Sequence, residues 1–483
     1  MELVFADGFN QSSSLPSMNR QCTNCYPKFV EAGDVVEKRL FGTPGLTQLA
    51  TTGTSAQEAN RGSHVMAGIV YFVHNISLSR LNEDETITNL STLDSVDITG
   101  SGKVSMADNG TQLMILVPGG SGFIFNKDTA ALEVITDSDF TANGLPQVVI
   151  FIDSFFMVVT DSKKFIISAS NDGTSWDALD FGTAESDPDK IVGLTNFKNE
   201  AYIMGSETGE PQNNIGGTDF PFQRNDLFLD KGLFARFSIV NTTDTFMFIG
   251  GSVNEDPSIW SLQGNSLVQV SNTGIDLLLN SLTTTELDQV VAYTYAQDHS
   301  TFVAWELPNE TIVYGVDTGK WHLRRSEVPD VAGHTMTIGW RATGLVTAYD
   351  KLICFDTQDG RIGEVSRDFF DEYGTNIQRE FDLDPLRAEK RPFFIPRIEV
   401  TPEAGVGDAV TPDPKIRLKT SKNAQIFGGE RIRSMGGVGE YDKRPVWFMN
   451  GFYPQYALLR FLFSEKVKFV IIRVDAEIKV GRL

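Results

Sequence analysis

One layout recurs seven times between about Val65 and Arg367: a hydrophobic strand, a tight turn, a second strand with alternating polar positions, then a run that carries an aromatic and stops at Gly, Asn or Asp. The units begin near Val65, Lys103, Gln147, Lys190, Gly232, Gln289 and Thr335, a spacing of roughly 38 to 57 residues. Four short antiparallel strands and their turns need about that length, and such sheets in tandem close radially. The pattern predicts an all-β protein whose main body is a β-propeller of seven repeat units and six or seven blades.

The units share layout rather than letters. Residues 69–73 and 77–81 read as a hairpin, as do 112–117 and 122–125 around Pro118-Gly119-Gly120, and 155–159 with 164–168. Unit four is the least regular, because residues 205–222 are rich in Gly, Asn, Pro and Glu; they read as a long projecting loop. One helix is expected at 275–282 behind an Asn272-Thr273 cap, and a shorter one from Thr284. Residues 1–60 are irregular, with one short strand around 36–40, and read as an extended N-terminal arm of a kind that crosses to a neighbour. The propeller is assigned to 61–378. From 379 to 483 the repeat stops and longer strands with alternating charge take over, as in Lys415-Ile416-Arg417-Leu418-Lys419, which predicts an antiparallel β-sandwich that serves as a docking domain.

Charge divides along the same line. The net charge is −22, yet residues 379–483 hold 19 basic and 14 acidic side chains, which leaves 22 basic against 49 acidic, net −27, before them. Such a body repels polyanions, so it is not a nucleic-acid grip of the usual kind, whose affinity comes from Lys and Arg releasing counterions. DNA nearby would be passed, not held. No run of about 18 apolar residues occurs, so no membrane span is expected, and Glu2 and Asp7 near a start without a basic segment are unlike a secretory signal.

The sequence carries no local catalytic signature. The five histidines, His64, His74, His299, His322 and His334, lie in no local nucleophile motif, and His322 reads as a strand residue. Cys22 and Cys25 form a CxxC without the second ligand pair of a zinc site. Gly100-Ser101-Gly102-Lys103 lacks the spacing of a P-loop and leads into a hairpin instead of a helix. Glu185-Ser186-Asp187-Pro188-Asp189 places three acids on one loop without the Gly and distal Glu of an EF-hand. Residues 170–176 are similar to the Asp-box turn of sialidase-type propellers, but the box is a turn, occurs once, and reads as a polar turn capped by Trp176. No residue is therefore assigned a catalytic, cofactor-binding or metal-ligating role.

The segment Ile98-Thr99-Gly100-Ser101-Gly102-Lys103-Val104-Ser105-Met106-Ala107 resembles one found at the same place in the packaged-DNA stabilisation protein, or tail nozzle subunit, of short-tailed double-stranded DNA phages. The succession that follows is similar too: Glu185, Pro188 and Asp189, then Lys231-Gly232, then Gly428-Gly429-Glu430-Arg431 and Val446-Trp447, so the resemblance covers nearly the whole chain. It implies a non-enzymatic virion tail protein, a homo-hexameric ring below the portal adaptor that contacts a tail needle or plug and tail spikes or fibres and lets double-stranded DNA pass without specific binding. The alternative from the fold alone is a sialidase-like or lectin-like carbohydrate-active propeller.

Overall fold

The middle strands of the repeats are apolar at successive positions because both their faces are covered, as expected where one sheet is sandwiched between two others. In Gln112–Leu116, Leu113 and Ile115 pack toward Tyr71 and Val73 of the preceding unit, while Met114 and Leu116 pack toward Phe156 and Val158 of the following one. The same division recurs at Phe155–Thr160, where Met157 and Val159 meet Leu194 and Ile203. Each hydrophobic layer is thus shared between two blades, and a blade has no core of its own.

The chain is described by a computed structural model covering residues 2–12, 19–29, 37–184, 189–217, 220–329, 333–388 and 391–481. Seven antiparallel sheets form the propeller, and their innermost strands begin at Asn60, Ser105, Pro146, Ile191, Val240, Val291 and Ala342. Each packs on the next, and Ala342–Ala348 returns to Asn60–Met66 to close the ring. Among the described residues there are seven blades. Blade four is regular, contrary to the loop expected at 205–222: Gly209–Asn214 and Phe222–Arg224 are its third and fourth strands. Their polar residues misled because polar side chains are buried here with partners: Gln212 donates to Glu210 Oε1 at 3.0 Å, and both are almost fully covered. Blade seven begins at Ala342, since Thr335–Gly339 instead extends blade six by pairing with Lys320–Pro329. The helices form at Thr273–Asn280, with the Asn272 side chain accepting from the Ile275 N–H, and at Thr284–Asp288 behind a Thr283/Glu286 capping box.

The described residues before 60 are largely built into this chain's own sheets, where an extended arm was expected. Gly45–Thr51 is the fourth strand of blade seven, antiparallel to Arg361–Ser366 and followed by the short piece Asp371–Glu372, so the ring is fastened by a strand from the opposite end of the chain. Cys25–Phe29 and Lys38–Gly42 pair with each other and extend a sheet of the C-terminal sandwich through Val470–Val480; of the strand expected at 36–40, residue 36 lies outside the described residues. Cys22–Thr23 runs parallel to blade six on one side and antiparallel to Arg379–Asp382 on the other. One continuous sheet therefore passes from blade six into the sandwich. A single buried cluster spans the joint, from Trp305 and Trp321 through Phe381 to Phe461 and Trp447. The expected boundary at residue 60 has no counterpart in this pairing.

The sandwich strands are Phe393–Pro402, Lys415–Ser421, Arg431–Ser434, Val446–Phe448, Tyr456–Phe463 and Val470–Val480, with short pieces between them. Cys22 and Cys25 are reduced and buried at the joint, their sulfurs 3.7 Å apart, and burial pushes the Cys25 thiol well up. No group of three or more His, Cys, Asp or Glu side chains suited to a metal ion occurs among the described residues. Nor, among them, is any helix long and apolar enough to cross a membrane.

Candidate functional site

Ring closure brings residues far apart in sequence to one mouth of the propeller axis. A cavity of about 830 Å³ opens there, and a deeper chamber of about 190 Å³ shares Asn60, Arg61, Lys103 and Phe237 with it. Gly100, Ser101, Gly102 and Lys103 form part of the rim. Gly100 and Gly102 have φ of +103° and +81°, the left-handed side that favours glycine, and a Cβ on Gly100 would stand 2.8 Å from the Val117 side chain. The Arg61 guanidinium ties this rim down by donating to the carbonyls of Gly102, Asn75 and Ile98 at 2.7–2.9 Å. Burial lowers its pKa.

Lys103 lies across the axis. Its Nζ is 3.3 Å from both the Asn60 carbonyl and Thr343 Oγ1, and 3.9 Å from Glu306 Oε2, whose carboxyl burial pushes up against the pull of Lys103. These side chains bridge blades one, two, six and seven, so the propeller axis is no passage for a duplex. Val104 donates its N–H to the Arg61 carbonyl, Ser105 Oγ accepts from the Val149 N–H of blade three, and Met106 lines the inner chamber. Arg236 pairs with Asp288 at 3.2 Å and also donates to the Gln147 side chain.

Three further motif residues meet at the joint of blades four and five. Asp189 Oδ2 accepts from the N–H groups of Glu207 and Thr208 at 2.8 and 3.1 Å, which fixes the turn at 205–208. Gly232 packs on that turn so closely that a Cβ would stand 2.2 Å from Glu207 N. Lys231 Nζ lies 2.8 Å from Glu255 and 4.9 Å from the centre of the Trp260 ring. Trp447 is separate: it is buried in the sandwich, donates from Nε1 to the Arg431 carbonyl at 2.8 Å and meets Phe461 edge-on. Glu185 and Pro188 lie outside the described residues.

The resemblance motifs thus fall into three structural knots and do not form one site. Sequence reasoning missed Arg61 and Arg236, which carry no local motif and reach the mouth only because the ring closes. It also missed a line of groups in blade one, where His74 Nδ1 is 2.6 Å from Glu58 Oε2 and His74 Nε2 is 2.9 Å from Ser79 Oγ. That order resembles a nucleophile, base and orienting acid. Ser79, however, is fully buried, and the adjacent cavity holds about 10 Å³, so no acyl group can reach the hydroxyl. The line satisfies buried polar atoms. At the axial mouth Asp288 is the one carboxylate among the described lining residues, and Arg236 holds it, so the facing acid pair of glycoside hydrolysis has no counterpart there. At the Asp-box-like turn, Trp176 is buried and donates from Nε1 to the Gly173 carbonyl at 2.9 Å.

Comparison with known families then decides the matter. Residues 1–369 match the family described as Bacteriophage P22 Gp10, beta-propeller, and residues 378–479 match Bacteriophage P22 Gp10, beta-sandwich. The chain belongs to the bacteriophage P22 Gp10 family. Membership makes it a structural component of a phage tail, of the type that stabilises packaged DNA. A comparison with curated proteins gives no match. Among solved structures, the chain is similar to the computationally designed Ika8 protein at 12% identity and TM-score 0.37, over 66% of this chain and 99% of that one. It is also similar to PorZ, an essential surface component of the type-IX secretion system of Porphyromonas gingivalis, at 8% identity and TM-score 0.38, over 68% and 38%. A third similarity is to YCF48 bound to D1 peptide, at 10% identity and TM-score 0.40, over 67% and 95%.

Proposed function

We propose that this Gp10-family chain is a ring-forming tail nozzle subunit that extends the portal-adaptor channel, retains packaged DNA and conducts it during ejection. The observation that carries the reading is the union of opposites: residues 1–378, of net −27, joined through a continuous sheet to residues 379–483 with 19 basic and 14 acidic side chains. A duplex sliding past an acidic wall meets few cations to hold it, whereas a wall that bound phosphates would stall it. The lumen is then the space enclosed by the ring of subunits, since each propeller axis is bridged by Lys103 and its partners.

The sandwich is the docking body. Phe448, Met449, Phe394 and Phe452 are exposed together along Phe393–Pro402 and its neighbouring strands, a grouping of apolar side chains typical of surfaces that become covered. Six copies close the ring, with the portal adaptor above, a needle or plug below and spikes or fibres at the side, and assembly takes place in the host cytoplasm before the subunit joins the virion tail. The test is to mix the purified chain with the isolated adaptor ring and measure the mass of the complex and its affinity for duplex DNA. Stoichiometric rings that ignore DNA at physiological salt are expected. A chain that stays monomeric beside the adaptor, or that binds duplex tightly at that salt, would remove the reading.

A further inference from the structure

The axial mouth departs from the charge of the body around it. Its charged lining consists of Arg61, Lys103 and Arg236 against Asp288 alone, within residues 1–378 of net −27. Asp288 is committed to Arg236. Lys103 faces the nearest carboxylate, Glu306, only at 3.9 Å. Arg61 is 8% exposed and spends Nε and Nη1 on three backbone carbonyls, while its Nη2 has no acceptor in the protein. That nitrogen has no contact with solvent, so Arg61 acts on the mouth through its charge from beneath the rim and not through a hydrogen bond into the cavity. Gly102 borders open space, and the cavity of about 830 Å³ lies in the size range of small-ligand sites.

We propose that this mouth binds a small oxyanion, a phosphate or a carboxylate group, against Lys103 and the rim at Gly100, Ser101 and Gly102, with the Arg61 charge held beneath them. The site is local and partly enclosed, so its two cations act at short range with little screening, while repulsion from the acidic surface is damped beyond a Debye length of about 8 Å at physiological salt. Binding therefore persists as salt is raised, unlike the binding of a polyanion to a basic surface. The inference does not depend on ring assembly and is tested on the isolated full-length chain.

Inorganic phosphate, diphosphate and citrate are titrated by calorimetry at constant ionic strength set with sodium chloride, alongside K103Q and S101D. S101D places a carboxylate at the exposed rim without touching the hydrogen bonds of Lys103 or the left-handed glycines beside it, so it serves even if K103Q folds poorly. Saturable binding is expected, weakened about tenfold or more by either variant and unchanged by K127Q at a surface hairpin. Response to phosphate and diphosphate alone identifies a phosphate site, and response to citrate alone a carboxylate site. Absence of saturable binding by all three anions, or binding that both variants leave intact, overturns the proposal.

Discussion

Replacing His322 with leucine isolates one buried group whose titration opposes folding. His322 lies in strand Lys320–Pro329 of blade six, is 1% exposed, and has no hydrogen-bond partner on either ring nitrogen. Tyr26 and Phe302 pack around it at centroid distances of 5.9 and 5.8 Å. Burial, with Arg324 nearby, lowers its pKa from 6.5 to about 3. A histidine depressed in the folded state binds protons only on unfolding, so its contribution is present above pH 6.5 and is lost as pH falls toward 3. Between pH 7 and pH 5 the linkage relation gives a loss of about 2 kcal/mol from this group. Asp382 acts in the opposite sense: burial raises its pKa to about 6 against the pull of Arg460, so it favours folding as pH falls below that value. Comparing H322L with the unaltered chain cancels that contribution. Urea unfolding of both proteins at pH 7 and pH 5, with midpoints converted through a common slope, should show the unaltered chain losing about 2 kcal/mol more than the variant. Equal losses would show that the imidazole is not held neutral by burial, and the packing assigned to the joint would be wrong.

Three other perturbations test the architecture. L46A removes a buried side chain from the strand that fastens blade seven and should cost about 2–5 kcal/mol by thermal or urea unfolding; a neutral outcome would mean that the strand is not part of the ring. G232A drives a Cβ to 2.2 Å from the backbone of the turn held by Asp189 and should cost roughly 1–3 kcal/mol, which an unchanged melting temperature would contradict. Deleting residues 379–483 strips Cys22–Thr23 of its partner and opens the shared cluster at Leu40 and Cys25, so the remainder should aggregate; a soluble propeller with a cooperative transition would refute the continuity of the joint.

The blades were legible because their middle strands are covered on both faces and so appear as unbroken apolar runs, such as Phe155–Thr160 and Phe246–Gly251. The sandwich strands were legible by their length and alternation, as in Lys415–Ser421. The fastening strand Gly45–Thr51 was not, since only Gly45 and Leu46 of it are buried and it pairs with residues more than three hundred positions away. Blade four's third strand was hidden because Glu210 and Gln212 are buried in it as a hydrogen-bonded polar pair. At the axial mouth the rim from Gly100 to Lys103 stood out by its glycines, but Arg61, Arg236 and Asp288 come from separate blades and connections, and only ring closure makes them neighbours. Likewise, nothing in the spacing of Glu58, His74 and Ser79 announced that hairpin pairing would align them.

The central claim is that copies of this chain enclose a lumen faced by the acidic propeller and are held in the tail by the basic sandwich. Imaging assembled particles at subunit resolution tests it most directly. A closed ring of six is expected, with Asp and Glu side chains facing the DNA path and the sandwich against the adaptor. A lumen carpeted with Lys and Arg, or a subunit placed outside the channel, would contradict it.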